Sequence, residues 1–442
     1  MKKLIIVITC IFTFLSSCNN SGKEDATKAK ASDESILQEQ TLKEQAIEAF
    51  KKEHYPEAIA LMEEAQIQSP DDAEVYFYLG WFHHYRASDS RLLAGYDAGY
   101  SQKILDYLDK ALILNPQLGD AKYFYGAECG AAACVAMQNY DVENLKYFYQ
   151  KAYEKGALPP WMIEFGKNFM SACDENAIVF TIGDAEFNTC MYLQLHQNHR
   201  TDLTIIALGI IDRPWYVKFL KDGLEGGVRK INLNLTDAQI MDIRPFKWDT
   251  TDVYIPISEA LKTEFNLPQH FSFCWTIEPD LTSNIIRSVI AGQAPKRRTY
   301  LSPRQAMLLQ IIEDNFSERP IYFSRYAPSA LYGGLEPYFQ HCGMTYRLTP
   351  IEKTPADISK METLFNPENF AHLPSIKTDD MPRVSSLIYN YYDIFTILAK
   401  HYKQTKQEEK LQNLIEIYKK SIAIGYDEEE DEAVLKEVLS IN

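Results

Sequence analysis

The spacing of hydrophobic residues changes twice along the chain and divides it into three main regions. In residues 37–169 apolar side chains recur three and four positions apart, which is the period of amphipathic helices. Residues 170–355 instead contain short continuous apolar runs, notably at 177–182 and 203–211, each followed by a helical stretch. The helical period returns in residues 381–442, after a linker at 356–380.

This order of elements predicts the fold class. Strand-length apolar runs that alternate with helices indicate parallel strands covered by helices on both faces. We therefore predict an α + α/β protein. Helical repeats come first, a Rossmann-like parallel-sheet domain follows, and a helical hairpin ends the chain.

Small residues within the first region follow a repeat. Ala46, Ala58, Ala65 and Pro70 have the spacing of a tetratricopeptide repeat. A second copy contains Leu79-Gly80 and ends at Ala111 and Pro116, and a weaker third copy runs from Tyr123 toward Ala152. Stacked hairpins of this kind leave a concave surface that commonly binds proteins, so we expect a protein partner here. The alternative is a helical platform that only packs on the next domain.

The N-terminus predicts export and lipidation. Lys2 and Lys3 precede an apolar run at 4–15 that is too short to span a bilayer but suits a signal peptide. The following Leu-Ser-Ser-Cys segment resembles the lipobox of bacterial lipoproteins, whose cysteine carries lipid such as palmitate. Residues 1–17 would then be removed, Cys18 would be the lipid attachment site, and residues 18–36 would form a flexible tether. The alternative is an ordinary secretory signal with a chance cysteine.

These features predict a location and exclude some partners. We expect the protein to be held by its lipid in the cell envelope, outside the cytoplasm, at the periplasmic face or the cell surface of an outer membrane. A net charge of −16 and a pI near 5.1 disfavour binding to nucleic acid. The cysteine spacings match no zinc or redox motif, and no dinucleotide, P-loop or hydrolase-elbow motif is found, so neither a cofactor nor a metal is expected.

Candidate ligand-binding residues follow three predicted strands. In open α/β sheets ligands bind beyond the carboxyl ends of the strands, so polar residues at these positions would lie along one edge. Asp184 would hold a hydroxyl-rich or cationic ligand, or it would merely cap a helix beginning at Ala185, the simpler interpretation. The candidates are Gly183, Asp184, Asp212, Arg213, Ser324 and Arg325.

Several segments occur in an order that resembles a known family. They are Phe180-Thr181-Ile182-Gly183-Asp184, Tyr192-Leu193-Gln194, Arg200-Thr201-Asp202, Trp215-Tyr216, Arg319-Pro320-Ile321-Tyr322-Phe323, Gly334-Leu335-Glu336, Tyr346-Arg347-Leu348 and Tyr389-Asn390-Tyr391-Tyr392. Together they resemble the exoplasmic C-terminal region of bacterial multi-spanning membrane proteins classed with protein O-mannosyltransferases. The resemblance implies a link to glycan or glycoprotein processing and makes a glycan a candidate ligand.

Two departures from that family limit what the resemblance implies. The multi-spanning part that would carry glycosyl transfer is missing from this sequence, and the acidic motif after the first strand is altered beyond Asp184. We therefore predict an envelope lipoprotein that acts as a protein-binding or assembly module. The alternative is an envelope enzyme that acts on glycans or glycoproteins at the strand ends; it is less favoured because no nucleophile–base pair can be named.

Overall fold

The N-terminal part of the computed structural model consists of three helical hairpins. The structure describes residues 41–281, 298–376 and 381–422, with positions 433, 435 and 436; the predicted signal peptide, Cys18 and the predicted tether lie outside this part. Each hairpin pairs two consecutive helices, and each hairpin packs on the next. The helices are α1 (Leu42–Lys51), α2 (Tyr55–Gln68), α3 (Ala73–Ala94), α4 (Ala98–Leu114), α5 (Gly119–Gln138) and α6 (Val142–Glu154).

Small residues allow the helices to approach closely. A Cβ atom added to Gly80 would lie 2.5 Å from Cδ2 of Leu108, so α3 and α4 touch at this point. Ala46, Ala58 and Ala111 are fully buried at the other helix contacts. These contacts explain the small-residue pattern of the sequence, while the tetratricopeptide assignment itself stays a prediction.

The central sheet has five strands in the order β2-β1-β7-β9-β8. Strands β1 (Ile178–Thr181), β2 (Thr204–Ala207) and β7 (Ile321–Ser324) are parallel, with β1 in the middle. Strand β9 (Thr345–Leu348) continues the sheet antiparallel to β7, and β8 (Phe339–His341) pairs antiparallel with β9 at the edge of the sheet. The predicted fold class is confirmed, but the sheet is mixed because a tight hairpin, rather than a crossover helix, joins β8 to β9.

Helices and two strand pairs surround this sheet. Four short strands form two antiparallel pairs, β3 with β6 and β4 with β5. The remaining elements are α7 (Pro160–Ser171), α8 (Gly183–Gln197), α9 (Pro214–Asp222), α10 (Asp237–Met241), β3 (Phe246–Lys247), β4 (Thr251–Pro256), α11 (Glu259–Glu264), β5 (Ser272–Ile277), β6 (Tyr300–Leu301), α12 (Pro303–Asn315), α13 (Ile358–Leu364), α14 (Met381–Gln404), α15 (Glu408–Ile417) and a π-helical turn at Tyr418–Ile422.

One hydrophobic core joins the third hairpin, the sheet and the C-terminal helices. Leu145 and Tyr149 of α6, Phe180 of β1 and Tyr391 of α14 all belong to it. Tyr149 also donates a hydrogen bond from its hydroxyl to Oδ1 of Asn188, at 3.2 Å, on α8. The third hairpin is therefore packed directly against the α/β part.

Within the described part of the chain, we find no helix with the length and apolarity needed to cross a membrane.

Candidate functional site

The three parallel strands end side by side at one edge of the sheet. Strand β1 lies between β2 and β7, so the strand order reverses at β1. Open α/β sheets bind ligands beyond the strand ends at such a point. The candidate residues that follow these strands lie along this edge. Gly183 has φ +74°, and a Cβ atom built on it would meet nothing within 4 Å, so the backbone is open to an approaching group.

Asp184 does not cap a helix, so the simpler interpretation of this residue is wrong. Helix α8 begins at Gly183, two residues earlier than expected. Its N-cap residue is Ile182, whose side chain makes no capping hydrogen bond. The Asp184 carboxyl is exposed, yet it lies in a recess where the surrounding protein desolvates it. Desolvation raises the pKa of Asp184, and His84 on the second hairpin acts in the opposite direction. The carboxyl is therefore influenced by a side chain of the helical hairpins.

Glu186 is a member of this edge that sequence reasoning missed. Its buried carboxylate accepts hydrogen bonds from the backbone N–H of Ile182 at 2.9 Å and from the Ser324 hydroxyl at 2.7 Å. Burial raises the pKa of Glu186 from its usual 4.5 to about 7, although both hydrogen bonds favour the charged form. The side chain thus joins the end of β1 to the end of β7. Its position in the altered acidic motif after β1 was the available signal.

Asp212 and Arg213, after β2, have partners of their own. Nη2 of Arg304, in the first turn of α12, lies 3.0 Å from Oδ2 of Asp212 and 3.2 Å from the carbonyl oxygen of Gly209. The Arg213 Nε lies 3.5 Å from Oδ1 of the same aspartate. The contacts of Arg304 therefore link α12 to the loop after β2.

Arg325, after β7, is held by the C-terminal hairpin. Its Nη1 donates to Oδ1 of Asn390 at 2.9 Å, and its Nη2 pairs with Asp393, both on α14. The guanidinium also lies over the ring of Tyr346, 5.5 Å from the centroid. Within the described residues no hydrogen bond joins Asp184, Asp212 and Arg325 to one another, and each has a separate environment.

A second feature, the aromatic stripe, crosses the first helix of each hairpin. It consists of Phe50 on α1, Trp81 and Tyr85 on α3, and Tyr123 and Phe124 on α5. Trp81 lies 5.2 Å from Phe50 and 5.5 Å from Phe124, measured between ring centroids, so the rings form a continuous row. Tyr85 and Tyr123 are 40% and 45% exposed, although aromatic rings of this size are usually more buried.

A buried acid lies next to this stripe. Glu128 on α5 is fully buried, and Nδ1 of His84 donates to its Oε2 at 2.7 Å. The Ser101 hydroxyl donates to its other oxygen. The adjacent rings of His84 and Phe124 are 5.6 Å apart, so polar groups and aromatic rings occur together on the hairpins.

A metal site requires several ligating side chains arranged around one point. Among the residues that the structure describes, no group of three or more histidine, cysteine, aspartate and glutamate side chains is placed to hold a metal ion.

The fold, and the sheet edge at which the parallel strands end, define an α/β domain. Helical hairpins precede this domain in the chain, and a C-terminal helical hairpin follows it. Residues 162–245 and 275–366 match the family model described as TMEM260-associated domain 2. The two segments cover less than half of the chain but include strands β1, β2 and β7 with their carboxyl ends. Asn390 and Asp393 lie beyond the match. No curated protein and no solved structure matches the chain.

Proposed function

We propose that this protein is a lipid-anchored envelope protein that acts as a binding or assembly module in glycan or glycoprotein processing. The observation that carries the binding role is the aromatic stripe, with Tyr85 and Tyr123 exposed on neighbouring helices. Exposed aromatic side chains that form a continuous patch are typical of protein–protein interaction sites. The link to glycan processing rests on the similarity to a TMEM260-associated domain.

The partner that suits this surface is a protein segment with apolar side chains. Such a segment would bury the exposed parts of Tyr85 and Tyr123, which offer a large contact area at a small cost in side-chain entropy. His84 lies beside the stripe, with its ring 5.6 Å from that of Phe124, and would contact a polar group of the segment. Because the third hairpin shares a core with the α/β part, a partner bound here would also lie close to the sheet edge.

The alternative, an enzyme acting on glycans or glycoproteins, is favoured by one observation. Glu186, with a pKa of about 7, accepts a hydrogen bond from Ser324, which is the arrangement of a base and a nucleophile. Both side chains are, however, almost completely buried, with exposed fractions of 2% and 1%. A substrate would not reach the Ser324 hydroxyl without movement of the sheet edge, so binding is the better supported role.

Site-specific photo-crosslinking in the producing cell tests the proposal. A crosslinking residue would replace Tyr85 or Tyr123 in the full-length protein, and Tyr147 would serve as the matched control. Tyr147 is 54% exposed but lies on α6, outside the stripe. We expect one envelope protein of glycan or glycoprotein processing to be captured from both stripe positions and not from the control.

The opposite pattern would refute the binding role. If the products at Tyr85 and Tyr123 equal those at Tyr147, the stripe is not a specific docking surface. A captured protein unrelated to glycans would instead overturn the proposed process while leaving the surface intact.

A further inference from the structure

Hydrogen-bond donors without acceptors lie around Arg325. Among the residues that the structure describes, no atom accepts a hydrogen bond from Nε of Arg325, Nε2 of His341 or Nδ2 of Asn390. Asn390 is completely buried, and the side chain of Arg325 is only 7% exposed. Buried donors are nearly always paired in folded proteins, so three of them together require an explanation.

These three residues form one cluster that joins the end of β7, the β8–β9 hairpin and α14. Nη1 of Arg325 lies 2.9 Å from Oδ1 of Asn390 and 3.5 Å from the carbonyl oxygen of Gly343. The backbone N–H of Gly343 in turn donates to Nδ1 of His341 at 3.2 Å. The ring of Tyr346 lies next to both other side chains. Its centroid is 5.4 Å from the centroid of the His341 ring and 5.5 Å from the guanidinium carbon of Arg325.

His341 can only donate from its free nitrogen. Desolvation, assisted by the charge of Arg325, lowers the pKa of His341 to about 2, so the ring is neutral. Because Nδ1 accepts the Gly343 hydrogen bond, the single ring proton is on Nε2. The free side-chain groups of Arg325, His341 and Asn390 are therefore all N–H donors, and one of the three side chains carries a positive charge.

We propose that Arg325, His341 and Asn390 form a binding site for an oxyanion, either a phosphate or a carboxylate group of a small ligand. Oxygen atoms of such a group accept several hydrogen bonds at once, and arginine is well suited to binding them. The three free groups offer a cation no acceptor, and the nearby acid, Asp393, is already paired with the guanidinium.

Access to the site is from the side of Asp393. This aspartate pairs with Nη2 of Arg325, but its own side chain is 61% exposed, so the cluster lies just below the surface. A bound oxyanion would compete with Asp393 for the guanidinium and would tie α14 to the sheet. The inference is independent of the proposed role of the aromatic stripe, because the two sites share no residue.

Titration of the full-length protein with inorganic phosphate and, separately, with glucuronate tests the site. The signals to follow in a proton–nitrogen NMR spectrum are the Arg325 Nε–H, assigned by its loss in Arg325→Gln, and the His341 Nε2–H. The His341 signal remains when Arg325 or Asn390 is replaced, so it reports binding in those variants. We expect saturable shifts, and binding weakened by about tenfold or more in Arg325→Gln, because charge-assisted hydrogen bonds are lost. Arg304→Gln is the matched control, since Arg304 lies at the same sheet edge and its Nε also finds no acceptor within the described residues.

Asn390→Asp provides a second variant should Arg325→Gln fail to fold. It preserves the shape of the side chain but places a negative charge beside the anion, so it should weaken binding to a similar extent. A response to phosphate alone, to glucuronate alone or to both supports the site and identifies its ligand class. The proposal is overturned if neither anion gives a saturable shift, which would leave a buried water as the acceptor, or if a folded Arg325→Gln binds like the unaltered protein.

Discussion

Replacing Glu186 with glutamine should remove a large part of the pH dependence of stability. The side chain is buried, and its pKa rises from 4.5 to about 7 on folding, mainly through desolvation. At a pH between these two pKa values, Glu186 is ionised in the unfolded chain but keeps its proton in the folded protein. The contribution of Glu186 to stability is therefore fully present below the pKa of the unfolded chain and is lost as the pH rises through the pKa of the folded protein.

The size of the effect follows from the two pKa values. Each pKa unit corresponds to about 1.4 kcal/mol, so the ionisation of Glu186 should lower the free energy of unfolding by about 3 kcal/mol between pH of about 4 and about 8. Glutamine has nearly the same shape. Its carbonyl oxygen can accept from Ile182, and its amide can donate to the oxygen of Ser324, so both contacts of the carboxyl have a replacement.

Urea unfolding across this pH range measures the difference. We expect the loss of stability toward high pH to be about 3 kcal/mol smaller in Glu186→Gln than in the unaltered protein. Glu313→Gln, on the exposed face of α12, is the control and should keep the original pH dependence. The reasoning is wrong if Glu186→Gln and Glu313→Gln lose stability in parallel, because the carboxyl would then ionise normally in the folded protein.

Three further predictions test other parts of the molecule. Gly80→Leu should lower the free energy of unfolding by about 1–3 kcal/mol or more, because its side chain would overlap Leu108, whereas Gly209→Ala, with open space around it, should be nearly neutral in the same urea titration. Asp184→Asn should not lower the melting temperature, because the carboxyl caps no helix and asparagine removes a charge that the surrounding protein desolvates; a large decrease in a calorimetric scan would refute this prediction. Cys18→Ala should abolish labelling by radioactive palmitate, and the protein should either be released from the membrane or keep its uncleaved signal peptide. Normal labelling would rule out the lipobox interpretation.

Most element types could be predicted from neighbours in the chain. Strands β1 and β7, helix α12 with its Ser302 cap, and the C-terminal helix α14 all lie where the apolar period and the end signals indicate. The start of α8 was the exception. Gly183 adopts a left-handed φ at the first helical position, and the preceding Ile182 acts as the N-cap without a side-chain hydrogen bond, so the usual polar cap signal was misleading.

The candidate site was only partly predictable. The sequence indicated that residues after the three strands would share an edge, since that follows from parallel pairing. It did not indicate that Asp212 pairs with Arg304, or that Arg325 is enclosed by Asn390 and Asp393 of α14. These contacts join residues from 65 to 92 positions apart, and no local pattern encodes them.

By itself, the sequence determined the helical and strand periods and indicated the three regions, and it predicts an N-terminal lipid anchor. Each of these inferences depends on residues close together in the chain. Only the tertiary structure decided that Glu186 meets Ser324 across 138 positions, and that Arg325 lies against Asn390 and against Gly343, whose backbone N–H donates to His341. Desolvation and pairing depend on what surrounds a group in space. The same glutamate in an unfolded chain is an ordinary acid, and the fold alone gives it a pKa of about 7.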